Sequence, residues 1–205
     1  MAETDLRDCL RPSPPDLEPA LRRKLCADIA DGKLREAVIA NTRFRERLFG
    51  RLLLSCGLPG DDDMPMPDEA DLARLKIVFE MKGDALRQTM GLAWFSDPLA
   101  RMVLERTLPP ALQDLDLATI RPALRYRGVA GAVTVPDPFT LADVMSAGET
   151  LIDHWVWSLP MGLAGRVALA TGRMSREVVP DATRVSLAAR VLGDLAVANR
   201  KENEK

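Results

Sequence analysis

The chain has 205 residues, 47% hydrophobic and 28% charged, a balance that supports a buried core and excludes wholesale disorder. Thirty acidic against 28 basic residues leave a net charge of −2, so no whole-protein field draws it onto nucleic acid or anionic lipid. Three cysteines without a CxxC pair and a single histidine, His154, exclude a disulfide framework, most zinc sites and any chemistry needing two imidazoles.

Residues 1–15 read as a flexible leader ending in Arg11-Pro-Ser-Pro-Pro15, where proline removes amide donors and restricts its neighbours. Its polar, acidic start lacks the basic-then-apolar order of a secretory signal, so a cytoplasmic protein is expected. From Asp16 a helical pattern begins, with Leu17, Leu21, Leu25 and Ile29 on one face. Gly32 interrupts it, and Leu34, Ala37 and Val38 resume it. Asn41-Thr42 reads as the cap of a helix whose apolar face carries Phe44, Leu48 and Leu52. Gly57-Leu-Pro-Gly60 stops that helix, and the acidic loop 60–68 marks a candidate internal boundary. Asp68 then caps a helix from Glu69, with Leu72, Leu75, Val78 and Phe79 on one side. Gly83-Asp84 marks a bend before a stretch to Trp94. Asp97-Pro98 predicts a helix over 98–106, the aspartate taking exposed amides and the proline filling the first helical position.

Pro109-Pro110 and Pro122 each open a short helix, the second ending at Gly128. Residues 129–135 form the only β-branched run, which admits one short strand. Thr140 with Asp143 resembles a capping box before a helix over 141–157. Leu159-Pro160 turns into a helix over 161–171, closed by Gly172. Pro180-Asp181 precedes a last helix over 182–199, and 200–205 is a charged tail. The expected fold is mainly α: a single compact multi-helix domain over 16–199, with at most one short strand or hairpin near 129–135. No apolar run approaches the roughly 20 residues of a membrane helix, so no direct membrane insertion is expected.

The search for chemistry is short. A serine or cysteine nucleophile needs a base in reach, and the only imidazole lies on an apolar stretch beside Trp155, the setting of a packing residue. Carboxylate pairs such as Asp143 with Glu149, or Glu177 with Asp181, are ordinary for this charge content. No phosphate-binding loop is present, and the GxxG matches at Gly128–Gly131 and Gly162–Gly165 read as turns or close packing. No catalytic residue, cofactor or metal is expected, and the chain reads as no enzyme.

Electrostatics and aromatics carry more. Arg43, Arg47 and Arg51 recur every four residues and make one basic stripe, while Asp61, Asp62, Asp63, Asp68, Glu69 and Asp71 cluster downstream. Such a stripe steers an acidic partner or a phosphate backbone, or is simply a solvated helix face. Trp155 and Trp157 sit two apart, about 200° around a helix, so both cannot face one core.

Two stretches resemble a known family. Leu72–Gln88 (LARLKIVFEMKGDALRQ) is similar to a helix–glycine–helix segment in the K component of bacterial type III secretion sorting platforms. That group includes the Yop-translocation K protein and the rhizobial nodulation protein NolU. Met145–Pro160 (MSAGETLIDHWVWSLP), followed by Gly165–Leu169, resembles the same family's C-terminal tryptophan helix. The resemblance implies a non-enzymatic cytoplasmic adaptor without a cofactor. Its partners would be the cytoplasmic domain of the inner-membrane ring and the pod protein below it, with no nucleic acid. It carries over no residue roles. On physical grounds Trp155 or Trp157, with Arg166 nearby in sequence, is a candidate interface anchor, and Arg43, Arg47 and Arg51 a candidate rim. The alternative is a helical nucleic-acid-binding transcriptional regulator that uses the helices around Gly32–Leu53.

Overall fold

A computed structural model describes residues 6, 8–11, 19–81, 83–113, 115 and 117–203. Its helices are α1 (Pro19–Leu25), α2 (Gly32–Ala40), α3 (Arg45–Ser55), α4 (Glu69–Glu80), α5 (Gly83–Trp94) and α6 (Ser96–Glu105). They continue with α7 (Pro110–Gln113), α8 (Leu117–Ile120), α9 (Leu141–Ser158), α10 (Met161–Ala170) and α11 (Ala182–Asn203). Short 3-10 turns lie at Thr42–Phe44, Arg121–Tyr126 and Met174–Arg176. The fold is mainly α, and the described residues contain no strand. None of the described helices is long and apolar enough to cross a membrane.

The chain divides into two compact units. One takes Met1–Pro67 and Leu159–Glu177, the other Asp68–Ser158 and Val178–Lys205. The first crossing from one to the other falls at the end of the acidic loop.

In the first unit α1 packs on α3. Their core joins Leu21, Leu25, Cys26, Ile39, Leu48, Phe49, Leu52 and Leu53 with Leu169 of α10. Leu17 lies outside the described residues. Helix α1 stops before Ile29, whose amide bonds to the Cys26 carbonyl across a turn at 3.0 Å. Gly32 begins α2 rather than interrupting a helix, because the Asp31 carboxylate accepts the Lys33 and Leu34 amides at 2.8 and 3.3 Å. Phe44 falls in the 3-10 turn before α3 and is 39% exposed, whereas Leu48 and Leu52 are buried. The tighter pitch of the turn takes Phe44 off the α3 face. Gly57, at φ +65°, ends α3, and the Leu58 amide returns to the Leu53 carbonyl at 2.9 Å. Of the leader, residues 6 and 8–11 are described, and Leu6 and Leu10 are fully buried.

In the second unit α9 packs along α5 and α11, and α11 also packs on α4. The closest approach is at two glycines. A Cβ on Gly91 would overlap the Val144 carbonyl, and one on Gly148 would overlap the Arg87 carbonyl and come within 2.9 Å of the Gly91 nitrogen. Backbone therefore meets backbone where α5 and α9 cross. Asp68 and the Thr140–Asp143 pair cap α4 and α9 as the sequence suggests: Asp68 accepts the Asp71 amide at 2.7 Å, and Asp143 accepts the Thr140 amide at 2.8 Å.

One local expectation in this unit is corrected. Helix α6 begins at Ser96, straight after the Phe95 turn, so Pro98 is its third residue. Asp97 is then free to accept the Gly128 amide at 2.8 Å instead of capping. Residues 129–135 form turns and loop, with Gly131 at φ +74°. Val133 and Val135 pack individually against the cluster of Leu92, Phe95, Leu99, Leu112, Ala123, Phe139 and Val144, with no neighbouring strand to pair with.

Candidate functional site

The arginine stripe belongs to the first unit. Arg43 sits in the 3-10 turn and Arg47 and Arg51 follow on α3, all three exposed. Arg51 lies 3.3 Å from the Asp28 carboxylate, both side chains more than half exposed, a pairing worth little in water. Arg43 and Arg47 make no ion pair among the described residues. Beside them Phe44 and Leu54 are exposed, so cations and apolar side chains share one stretch of surface.

The acidic loop does not neutralise this stripe. Its Asp61 turns to Arg166, whose Nη2 donates to it at 2.5 Å, and to Arg11. Arg166 is fully buried, donates from Nη1 to the Pro59 carbonyl at 3.0 Å, and lies over the Phe49 ring at 4.9 Å. Burial pushes the Asp61 carboxyl upward, but the hydrogen bonds from Arg166 and Arg11 outweigh it and hold the group below the usual carboxylate range. Helix α10 approaches this loop closely at two glycines: a Cβ on Gly165 would overlap the Leu58 side chain, and one on Gly162 would come within 2.7 Å of Pro59 Cγ.

Of the candidate anchors, Trp155 is 2% exposed and Arg166 not at all, while Trp157 keeps partial exposure. The Trp157 indole N–H is buried without a hydrogen-bond partner. The 200° separation thus puts the two tryptophans in different surroundings, as their spacing requires.

His154 is the third polar feature, in the second unit, and is 6% exposed. Its Nδ1 accepts the Asp181 backbone N–H at 3.0 Å, and Arg184 Nη1 lies 2.8 Å from its Nε2. Arg184 also lies over the Trp94 ring at 5.2 Å. Burial first, then the Arg184 charge, lowers the His154 pKa and keeps the ring neutral at pH 7; Asp181 and Asp153 act in the opposite sense. A neutral imidazole has one acceptor nitrogen, so two N–H donors compete for it, and a protonated ring would accept from neither.

Sequence reasoning singled out His154 as a packing residue and did not find Arg184, thirty positions away. It also grouped Asp61 with the acidic cluster and did not find Arg166 as its partner. No local signal marks either pairing, because each joins residues from separate elements. Among the described residues no group of three His, Cys, Asp or Glu side chains is placed to hold a metal ion. No protein-family model, curated protein or solved structure matches the chain.

Proposed function

We propose that this chain is a non-enzymatic adaptor of a bacterial type III secretion apparatus, bridging the cytoplasmic domain of the inner-membrane ring to the pod protein of the sorting platform. One observation supports the reading. The two resembling stretches, Leu72–Gln88 and Met145–Pro160, lie far apart in the chain but meet at one packing joint, where Gly148 of α9 faces the Arg87 carbonyl of α5. The resemblance therefore falls on a single joint of the fold rather than on two unconnected helices. The exposed Arg43–Arg47–Arg51 surface, with Phe44 and Leu54 beside it, supplies the charged and apolar mixture that an acidic protein partner would cover. The protein would then sit on the cytoplasmic side of the inner membrane, held there by its partners.

The test is affinity purification of the tagged protein from its own cells after mild cross-linking under secretion-inducing conditions. Recovery of the ring domain together with pod, arm or ATPase subunits is the expected result. Recovery of none of them overturns the adaptor reading. Specific duplex-DNA binding that weakens steeply with salt would replace it with the regulator.

A further inference from the structure

Beside His154, a cleft of about 220 Å³ opens in the second unit, lined by Trp94 and Phe95 near the end of α5, by Asp143, Ser146 and Thr150 of α9, and by Arg184 of α11. Arg184 lies there between two rings, with Nη1 2.8 Å from His154 Nε2 and its guanidinium over Trp94. Among the described residues it has no ion pair, and its Nε and Nη2 make no hydrogen bond. Neither atom is among the buried polar atoms lacking a partner, so neither is fully enclosed.

An arginine takes a carboxylate best through two parallel N–H groups on one edge of its plane. The Nε–Nη2 edge of Arg184 is such a pair, on a guanidinium already fixed by its other contacts, so little freedom is lost when a ligand arrives. Asp143 limits the charge of that ligand, and the volume of the cleft limits its size. The Asp143 Oδ2 accepts the Thr140 hydroxyl and amide, and those bonds hold its carboxyl below the usual range. A fixed negative charge on the cleft wall disfavours a dianion. The volume is smaller than the roughly 300 Å³ at which ordinary small-molecule pockets begin, which suits an acidic side chain or a short aliphatic acid.

The geometry points to this cleft as a receptor for one carboxylate, gripped by the Nε–Nη2 edge of Arg184 with its apolar part against Trp94. The site does not depend on the adaptor reading. Its ligand is either an acidic side chain presented by a partner protein or a free small carboxylic acid.

The experiment titrates the ¹⁵N-labelled full chain with acetate, with the amide of N-acetylglutamate, with its glutamine counterpart and with inorganic phosphate, at constant ionic strength. The Trp94 indole N–H and Arg184 Nε–H signals should shift saturably with the two carboxylates only. Stronger binding of the N-acetylglutamate amide than of acetate assigns the ligand to a protein side chain; equal or stronger acetate binding assigns it to a free acid. Arg184→Lys keeps the charge without the fork and should weaken either ligand about tenfold or more. If that variant does not fold, the wild-type contrast between carboxylate and amide decides alone. An absent saturable shift, an equal response to the glutamine analogue or to phosphate, or undiminished binding by folded Arg184→Lys overturns the proposal.

Discussion

In the first unit, helix α10 meets the acidic loop through Arg166, a wholly buried cation bonded to Asp61 and to the Pro59 carbonyl. In the second, α5 and α9 meet at Gly91 and Gly148, each of which faces a carbonyl of the other helix. The first joint depends on a charge being answered, and the second on a volume being absent. They should therefore fail under different insults. Removing a counter-charge damages the first, and adding a methyl group damages the second.

Asp61→Ala is expected to have the largest effect. It leaves Arg166 buried without a carboxylate, and removing one member of a buried pair costs about 3–5 kcal/mol. Arg166→Met should cost less, because Asp61 is partly exposed and keeps Arg11 as a partner. Urea unfolding of both variants checks the order. Equal losses would mean that the joint is held by side-chain volume rather than by charge.

Gly148→Ala comes next. The new Cβ would strike backbone atoms of α5, which cannot rotate away, so the helices must separate at a cost of about 1–3 kcal/mol. Gly50, in the middle of α3 with nothing within 4 Å of an added Cβ, is the matched control. There the same substitution should stabilise the protein by about 0.5–1 kcal/mol through helix propensity. Thermal melting of the two variants separates close approach from propensity, and a loss at both positions would erase the contrast.

These joints were the parts of the molecule least legible in the sequence, for a physical reason. The caps at Asp68 and at Thr140–Asp143 are settled by residues three positions apart, so a local pattern suffices to find them. Helix faces repeat every few residues and are legible in the same way. Asp61 with Arg166, His154 with Arg184 and Gly91 with Gly148 are decided only when separate elements pack. A fully buried arginine also runs against the usual placement of that residue. One signal was present and unused: a glycine inside a helical pattern costs about 1 kcal/mol relative to alanine, so Gly91 and Gly148 advertised some compensating contact. Residues 129–135 show the converse. A β-branched run looks strand-like locally, but a strand needs a partner, and Val133 and Val135 found a helical core instead.

Acid sharpens the comparison between the units. The His154 pKa lies below its ordinary value near 6.5, so the unfolded chain takes up the proton first as pH falls. Its contribution is thus complete above that value and is lost as pH falls through the depressed folded pKa. Burial and then the Arg184 cation lower that pKa, while Asp181 and Asp153, the other charged groups around His154, act to raise it. Asp61, also lowered, loses its contribution only at more acid pH, as pH drops below the usual carboxylate range through its own folded value. Denaturant titrations from pH 8 to 3 should show a mild loss beginning near pH 6.5, absent in His154→Gln, and a later one absent in Asp61→Asn. An early loss that persists in His154→Gln would place the proton elsewhere.

A smaller effect tests helix termini. Asp68→Ala leaves the Asp71 amide without its side-chain acceptor and should cost about 1 kcal/mol by urea unfolding. That is well below either joint, because the freed amide at an exposed cap can turn to water. A loss as large as that of Asp61→Ala would show that the start of α4 anchors the second unit as strongly as Arg166 anchors its loop.

The smallest change in stability belongs to the surface proposed for a partner. Among the described residues, replacing Arg43, Arg47 and Arg51 together by glutamate breaks only the exposed Arg51–Asp28 pair, and exposed pairs of this kind contribute about 0–1 kcal/mol. Helicity and urea midpoint should therefore stay close to those of the parent chain. Partner recovery should fall sharply, because three charges of the steering sign become three of the other, which slows encounter and opposes contact. The two readings separate cleanly. A stable, helical variant that still recovers the ring domain and pod protein removes the stripe from the interface and leaves α3 with a solvated face. A variant that unfolds would contradict the exposure of all three side chains, and with it the placement of the turn that carries Arg43.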